Sequence, residues 1–220
     1  MLPIIATGKQ SFSDIRNENC FYIDKTRFIR DWWNSNDDVT LITRPRRFGK
    51  TLMLDTVNTF FSVEFSNSSK LFEGLEIWED KKFRMLQGTI PVISLSFADI
   101  KENTYQDAIA SIKELLKILF RHFSYQLDTL LDWEKELFST MDKEISEQAI
   151  KRSLRNLSEC LTLHFKNKPI ILLDEYDTPL QEAWINNYWD KLVNFMRGFF
   201  NSTFKANPYL GRGLISGLNP

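Results

Sequence analysis

Short apolar segments alternate with longer amphipathic segments along this chain, and this alternation restricts the fold more than any other feature. The apolar segments are continuous runs, the pattern of buried parallel strands that helices cover on both faces. Strands that alternate with helices indicate an α/β fold with a mainly parallel sheet. The predicted strands cover residues 39–43, 90–97, 169–173 and 212–216, and the predicted helices cover residues 22–34, 51–62, 104–123, 146–166 and 188–204.

The composition is that of a globular protein. Of the 220 residues, 43% are hydrophobic and 26% are charged, which argues against disorder. There is no repeat, low-complexity tract or Pro/Gly-rich linker, so we expect one domain over residues 1–220. The 28 basic and 29 acidic residues give a net charge of -1, which argues against a non-specific nucleic-acid binder.

The numbers of cysteines and histidines and the lengths of the apolar runs argue against disulfide-rich, zinc-binding and membrane proteins. Cys20 and Cys160 are too few for a disulfide framework and fit a reducing compartment. His122 and His164 have no partner at metal-ligand spacing, which argues against a zinc site. No apolar run is long enough for a signal peptide or a transmembrane helix. We therefore expect a soluble, cytoplasmic protein without a membrane partner.

The loop between the first predicted strand and the next helix reads RPRRFGKT, residues 44–51. Its end, Gly49-Lys50-Thr51, matches the phosphate-binding pattern G-x-x-x-x-G-K-[ST], although Arg44 replaces the first glycine. Such a loop would present backbone N–H groups to phosphates, with Lys50 on the β- and γ-phosphates and Thr51 on Mg²⁺. The alternative is a basic turn in which Lys50 and Thr51 are merely solvated.

A second segment favours the nucleotide interpretation. The apolar run at 169–173 ends in Asp174-Glu175, the pattern of a Walker B strand. In a parallel sheet both loops would emerge at the same edge, where ligands bind. Asp174 would then hold Mg²⁺, and Glu175 would orient and deprotonate the attacking water. A strand that ends in a solvated acidic turn is the alternative.

Three arginines, Arg44, Arg46 and Arg47, cluster beside Lys50. They could neutralise phosphate charge, face solvent or act on a neighbouring subunit, and we expect at least one to meet a phosphate or a carboxylate. With Phe48 of the same loop, Arg44 and Arg47 complete the predicted nucleotide-binding set. Asp177 could orient neighbouring groups of the site or cap a helix that follows Pro179, and capping is the role we favour.

Three segments together resemble the AAA-ATPase-like family, P-loop proteins that often carry a PD-(D/E)xK nuclease-like domain. They are RPRRFGKT, Phe21-Tyr22-Ile23-Asp24-Lys25-Thr26 and Leu172-Leu173-Asp174-Glu175-Tyr176-Asp177-Thr178-Pro179. The resemblance implies a P-loop NTPase three-layer sandwich that binds ATP with Mg²⁺, and Arg44 is then the family's own form of the loop. Asp24 and Lys25 match a family motif whose role the sequence does not give.

The resemblance breaks down near residue 217. Ser216 stands at the family's polar sensor position, but the expected arginine after it is absent. We therefore expect the sheet to lack its last strand, which would leave an unpaired edge that favours self-association. The leading interpretation is a Mg²⁺-dependent ATP-binding domain with weak ATPase activity. The alternative is a non-hydrolysing or degenerate nucleotide-binding module, and a nucleic-acid or nuclease partner follows from family association alone.

Overall fold

A computed structural model describes residues 4–5, 8–45, 47–124, 130–143 and 145–218 of the chain. In this part, four strands form one sheet in the order β1-β4-β3-β2. Strand β4 is parallel to both of its neighbours, β1 and β3. The predicted α/β fold with a parallel sheet is confirmed. The strands are β1 (Val39–Thr43), β2 (Val92–Ser96), β3 (Ile170–Asp174) and β4 (Arg212–Gly217).

Helices connect these strands, and the long ones lie where the periodicity predicts them. The helices of the described residues are α1 (Phe12–Asn17), α2 (Arg27–Ser35), α3 (Lys50–Phe61), α4 (Glu76–Glu79), α5 (Lys81–Leu86), α6 (Tyr105–Ser124), α7 (Asp132–Asp142), α8 (Glu147–Phe165), α9 (Thr178–Ile185) and α10 (Trp189–Phe200). The chain then continues α10 as one π-helical turn over Asn201–Lys205.

Some boundaries differ from those predicted. The helix expected at residues 22–34 begins only at Arg27, because the Asp24 carboxylate accepts hydrogen bonds from Thr26 N and Oγ1 and folds the preceding residues into a turn. The strand expected at 90–97 is shortened to β2, and Ile90 instead forms an isolated bridge with Ser62. Helix α9 follows Asp177 as expected, but the Asp177 side chain makes no capping hydrogen bond.

The chain divides into two compact units, and the first contains most of the sheet. It comprises Met1–Ser94, Ile170–Asp174 and Arg212–Pro220. Its core is aromatic: the ring centroid of Phe72 lies 5.0 Å from that of Phe12 and 5.0 Å from that of Phe60. Such ring pairs add stability beyond the area they bury. Leu54 and Val57 join this core from α3, and Leu172 and Leu214 join it from β3 and β4. The helix that follows the 44–51 loop is thus packed in this core together with residues of the sheet.

The second unit, Leu95–Pro169 with Glu175–Gly211, is built mainly from helices. Its three long helices, α6, α8 and α10, bury apolar side chains. These buried side chains include Ile112 and Leu116 of α6, Leu154, Leu157 and Leu161 of α8, and Leu192, Phe195 and Phe199 of α10. Whether the two units form the single domain over residues 1–220 that the sequence suggests stays a prediction.

Candidate functional site

The loop between β1 and α3 has a backbone suited to anion binding. Arg47 and Gly49 both adopt left-handed conformations, with φ of +68° and +73°. Residues of this kind in a turn direct successive N–H groups into a concavity, which attracts anions. Gly49 is the N-cap of α3 and has no side chain that could cap the helix. The N–H groups of the first turn, which have no intrahelical acceptor, and the positive end of the helix dipole are therefore directed to this loop.

Lys50 lies on the inside of the same loop. Its Nζ donates hydrogen bonds to the carbonyl oxygens of Arg44, at 2.5 Å, and of Pro45, at 3.3 Å. The side chain is buried although it is the first residue of a helix. The loop's own carbonyl oxygens thus hold a positive charge at the loop.

A buried carboxylate joins this loop to the sheet. Asp174, the last residue of β3, accepts a hydrogen bond at Oδ2 from Thr51 Oγ1, at 2.7 Å. Its other oxygen, Oδ1, accepts a hydrogen bond from Ser216 Oγ. Asp174 is 6% exposed and Ser216 is fully buried. Three segments that are distant in sequence, the start of α3 and the ends of β3 and β4, thus meet at one carboxylate.

The strand order explains this meeting. Because β4 lies between β1 and β3, with Leu173 opposite Ile215, the residues that follow in each strand are neighbours at one edge of the sheet. Those residues are Asp174 and Ser216. The parallel arrangement also brings the end of β1, and therefore the loop after it, to the same edge.

The chemistry of these oxygens fits a magnesium ion. Mg²⁺ is bound by hard oxygen ligands and usually through one or two protein groups plus phosphate and water. Thr51 Oγ1 and the Asp174 carboxylate are such ligands and lie in direct contact. No cluster of three or more His, Cys, Asp or Glu suited to a metal occurs in the described residues.

The other predicted site residues have varied surroundings. Arg44, Arg47 and Phe48 are exposed on the loop, with Phe48 at 57%. Among the described residues, neither Arg44 nor Arg47 has an ion-pair partner, so the expected contact with a carboxylate is not found for these two. Arg46 lies outside the described residues.

Glu175, the predicted catalytic residue, belongs to the second unit and begins its second chain segment, Glu175–Gly211. It has a left-handed backbone with φ of +49°, and its Oε2 accepts a hydrogen bond from Thr178 Oγ1 at 3.2 Å. A left-handed conformation is unusual for a residue other than glycine, asparagine or aspartate and is maintained only where the surroundings impose it. The turn from β3 into α9 therefore fixes the backbone of Glu175.

A cavity that the sequence does not reveal adjoins the loop. The segment 21–28 and the first turns of α3 together line a cavity of about 230 Å³ that reaches Gly49. The signal that could have located it is the Asp24-Lys25-Thr26 tripeptide.

No helix among the residues described is both long and apolar enough to cross a membrane.

Comparison with known proteins identifies the family. The family described as "Predicted AAA-ATPase" matches residues 6–220. A protein of Azotobacter chroococcum mcd 1, described as "Uncharacterized protein in vnfD 5'region", is 35% identical over 118 residues, which are 53% of this chain and 21% of that protein. The match thus covers about a fifth of the relative's length. No solved structure matches the chain significantly. Because the family match covers nearly all of its sequence, the chain belongs to the AAA-ATPase-like family, whose description supports a nucleotide-binding role.

Proposed function

We propose that this chain is a Mg²⁺-dependent ATP-binding P-loop domain that hydrolyses ATP slowly. The observation that carries the proposal is the 2.7 Å hydrogen bond between Thr51 Oγ1 and Asp174 Oδ2. This bond joins the loop proposed to bind phosphates to the strand end proposed to hold the metal. A solvated acidic turn does not account for this contact, because Asp174 is buried and both of its carboxylate oxygens accept hydrogen bonds from side chains.

The loop residues take distinct roles in this proposal. The backbone N–H groups at Gly49, Lys50 and Thr51 bind phosphate oxygens at the N-terminus of α3. The Lys50 ammonium exchanges the carbonyl oxygens of Arg44 and Pro45 for the β- and γ-phosphates. A charged phosphate oxygen is a stronger acceptor than a neutral carbonyl, so this exchange is favourable.

The other loop side chains act at the edge of the same site. Arg44 and Arg47 are exposed cations without a carboxylate partner among the described residues, and they add positive charge beside the bound phosphates. Phe48, which is also exposed, covers the nucleotide on the solvent side.

Thr51 and Asp174 would hold the magnesium ion. When bound, Mg²⁺ neutralises the charge that develops on the phosphate oxygens during transfer. Ser216 positions the Asp174 carboxylate from the neighbouring strand by its hydrogen bond to Oδ1. The hydroxyl of Thr51 and both carboxylate oxygens are therefore held in place before a ligand arrives.

Glu175 is proposed as the general base because it directly follows Asp174 in the chain. A carboxylate in that position accepts a proton from a water molecule as the water attacks the terminal phosphate. The backbone conformation of Glu175 is fixed by the turn into α9, which supports a defined position for its side chain.

Thermal unfolding with and without Mg-ATP tests nucleotide binding. A ligand that binds only the folded state stabilises it by about 2.7 kcal/mol at ~100 times Kd. We expect this stabilisation for the wild type and its loss in Lys50→Ala, with Lys81→Ala on the exposed face of α5 as the matched control. Equal stabilisation of wild type and Lys50→Ala would refute the proposed phosphate loop.

Two acidic variants separate binding from hydrolysis. Glu175→Gln should keep the Mg-ATP stabilisation and lose most ATP turnover, whereas Asp174→Asn should reduce the dependence of that stabilisation on Mg²⁺. If the wild type binds Mg-ATP but shows no turnover above that of Glu175→Gln, the chain is the non-hydrolysing nucleotide-binding module.

A further inference from the structure

A cavity adjoins the proposed phosphate loop within the first unit. Its volume is about 230 Å³. Its lining includes Phe21, Tyr22 and Ile23 from the segment before α2, and Gly49, Leu52 and Met53 from the loop and α3. The cavity thus reaches the glycine of the loop, the first turns of α3 and the segment that precedes α2.

The size and lining of the cavity fit part of a nucleotide. Pockets that hold a complete drug-sized ligand measure roughly 300–1,000 Å³, so this one is too small for base, ribose and phosphates together. A planar base needs apolar and aromatic walls, which the cavity has. Because the phosphates are assigned to the loop at Gly49, the cavity is placed to take the opposite, nucleoside end.

Lys25 lies where the cavity meets the loop. A methyl group built on the Gly49 Cα would be 4.0 Å from Lys25 Nζ, so the ammonium is next to the loop backbone. The Lys25 side chain also lines the cavity and is exposed. It has no ion-pair partner among the described residues, whereas Lys9, another cavity residue, is paired with Glu18.

Hydrogen bonds hold Asp24 and Thr26, the residues on either side of Lys25, and do not involve the Lys25 side chain. Asp24 Oδ1 accepts hydrogen bonds from Thr26 N at 2.8 Å and Thr26 Oγ1 at 2.7 Å, and Asp24 Oδ2 accepts one from Glu76 N at 2.7 Å. Thr26 is buried, and its Oγ1 accepts a hydrogen bond from Ile77 N at 3.1 Å. Asp24 and Thr26 therefore fasten the turn to the start of α4, which fixes the backbone that carries Lys25.

We propose that Lys25 is a second phosphate-binding lysine and that the cavity beside it binds the nucleoside end of the same nucleotide. The proposal rests on the proposed function and assigns a role to the Asp24-Lys25-Thr26 tripeptide. Asp24 and Thr26 are positioning residues, and Lys25 contacts the ligand. A cation supplied from before β1, beside Gly49, adds to the neutralisation of phosphate charge by Lys50.

Isothermal titration with two probes, Mg-ATP and inorganic tripolyphosphate, tests the two parts of the proposal. Lys25→Met should weaken binding of both probes by about tenfold or more, because a hydrogen bond to a charged group contributes roughly 1.5–3 kcal/mol and 1.4 kcal/mol is tenfold. Lys25→Arg, which keeps the charge, should retain most of the affinity. Phe21→Ala should weaken Mg-ATP about tenfold and leave tripolyphosphate unchanged, because stacking acts on the base alone.

Controls keep the failure of this proposal apart from the failure of the proposed function. Lys81→Met removes an exposed charge of the same unit and should bind both probes as the wild type does. Lys25 and Phe21 are exposed, so their variants should melt at the wild-type temperature.

Two sets of results would overturn the proposal. If Lys50→Ala loses both probes while Lys25→Met binds them as the wild type does, the phosphate loop stands and the Lys25 role is refuted. If Phe21→Ala weakens tripolyphosphate as much as Mg-ATP, the cavity does not bind the nucleoside. Unchanged binding in Lys50→Ala refutes the proposed function and this proposal with it.

Discussion

Replacement of Ser216 by alanine removes one of the two hydroxyl groups that hold Asp174. Ser216 is fully buried, Asp174 is 6% exposed, and each carboxylate oxygen accepts one of the hydroxyl hydrogen bonds. A hydrogen bond to a charged group contributes roughly 1.5–3 kcal/mol, and little water can replace the lost donor at a buried site. We therefore expect Ser216→Ala to lower the free energy of unfolding by about 1.5–3 kcal/mol.

Thermal and urea unfolding would measure this loss. In a domain of this size 1 kcal/mol corresponds to about 2–4 °C, so the melting temperature should fall by roughly 3–12 °C. A double-mutant cycle with Asp174→Ala isolates the pair, and its coupling energy should lie at about 1–3 kcal/mol. The Mg-ATP stabilisation should also decrease in Ser216→Ala, because the carboxylate that would hold the metal is less well positioned.

Ser153→Ala is the matched control for the loss of a buried hydroxyl. Ser153 is 1% exposed, and its Oγ donates to a neutral helix carbonyl, that of Ile150, at 2.8 Å. The control should cost less than Ser216→Ala because no charged acceptor loses a donor. Equal losses for the two variants, or a coupling energy near zero, would refute the view that Ser216 stabilises the Asp174 carboxylate.

Three further predictions concern the scaffold and its ionisable groups. Gly88→Ala should destabilise the protein far more than Gly74→Ala does. Both glycines have positive φ, of +68° and +78°. An added Cβ at Gly88 would clash with the backbone of Ser66, whereas at Gly74 it would meet no atom within 4 Å. Urea unfolding of the two variants compares the clash with the conformational cost of about 1 kcal/mol alone. Burial, together with the nearby Glu134 carboxylate, raises the pKa of the Cys160 thiol. Ellman's reagent should therefore label Cys160 only after unfolding. Rapid labelling of a Cys20→Ser variant, in which Cys160 is the remaining cysteine, would contradict this if it occurred in the native state. Burial alone would raise the pKa of Asp24, but hydrogen bonds from Glu76 N and from Thr26 lower it. The contribution of Asp24 to stability is therefore present above the unfolded pKa of ~3.9 and is lost as pH falls through the folded pKa. Unfolding measured at decreasing pH should show an acid-dependent loss of stability that Asp24→Asn lacks.

The sequence by itself determined the kind of fold and the two chain segments that matter most. Apolar runs between amphipathic segments gave the strands and long helices, because burial of a strand or of one helix face requires that pattern whatever the neighbours are. The Gly-Lys-Thr loop after β1 and the Asp-Glu pair after residue 173 could also be predicted, because each is a short motif defined by neighbouring residues. The short helices α1, α4, α5 and α7 were not predicted, since four to eleven residues carry too little periodicity to separate a helix from a turn.

The tertiary structure alone decided which of these segments are neighbours. The sequence of a continuous apolar strand does not indicate which strand it pairs with. The position of β4 between β1 and β3 therefore follows from packing and not from any local pattern. That order sets Ser216 beside Asp174 and Asp174 beside Thr51. Likewise, Lys25 lies next to Gly49, which is 24 residues further along the chain. The turn that carries Lys25 is held in place by α4, whose backbone N–H groups donate hydrogen bonds to Asp24 and Thr26.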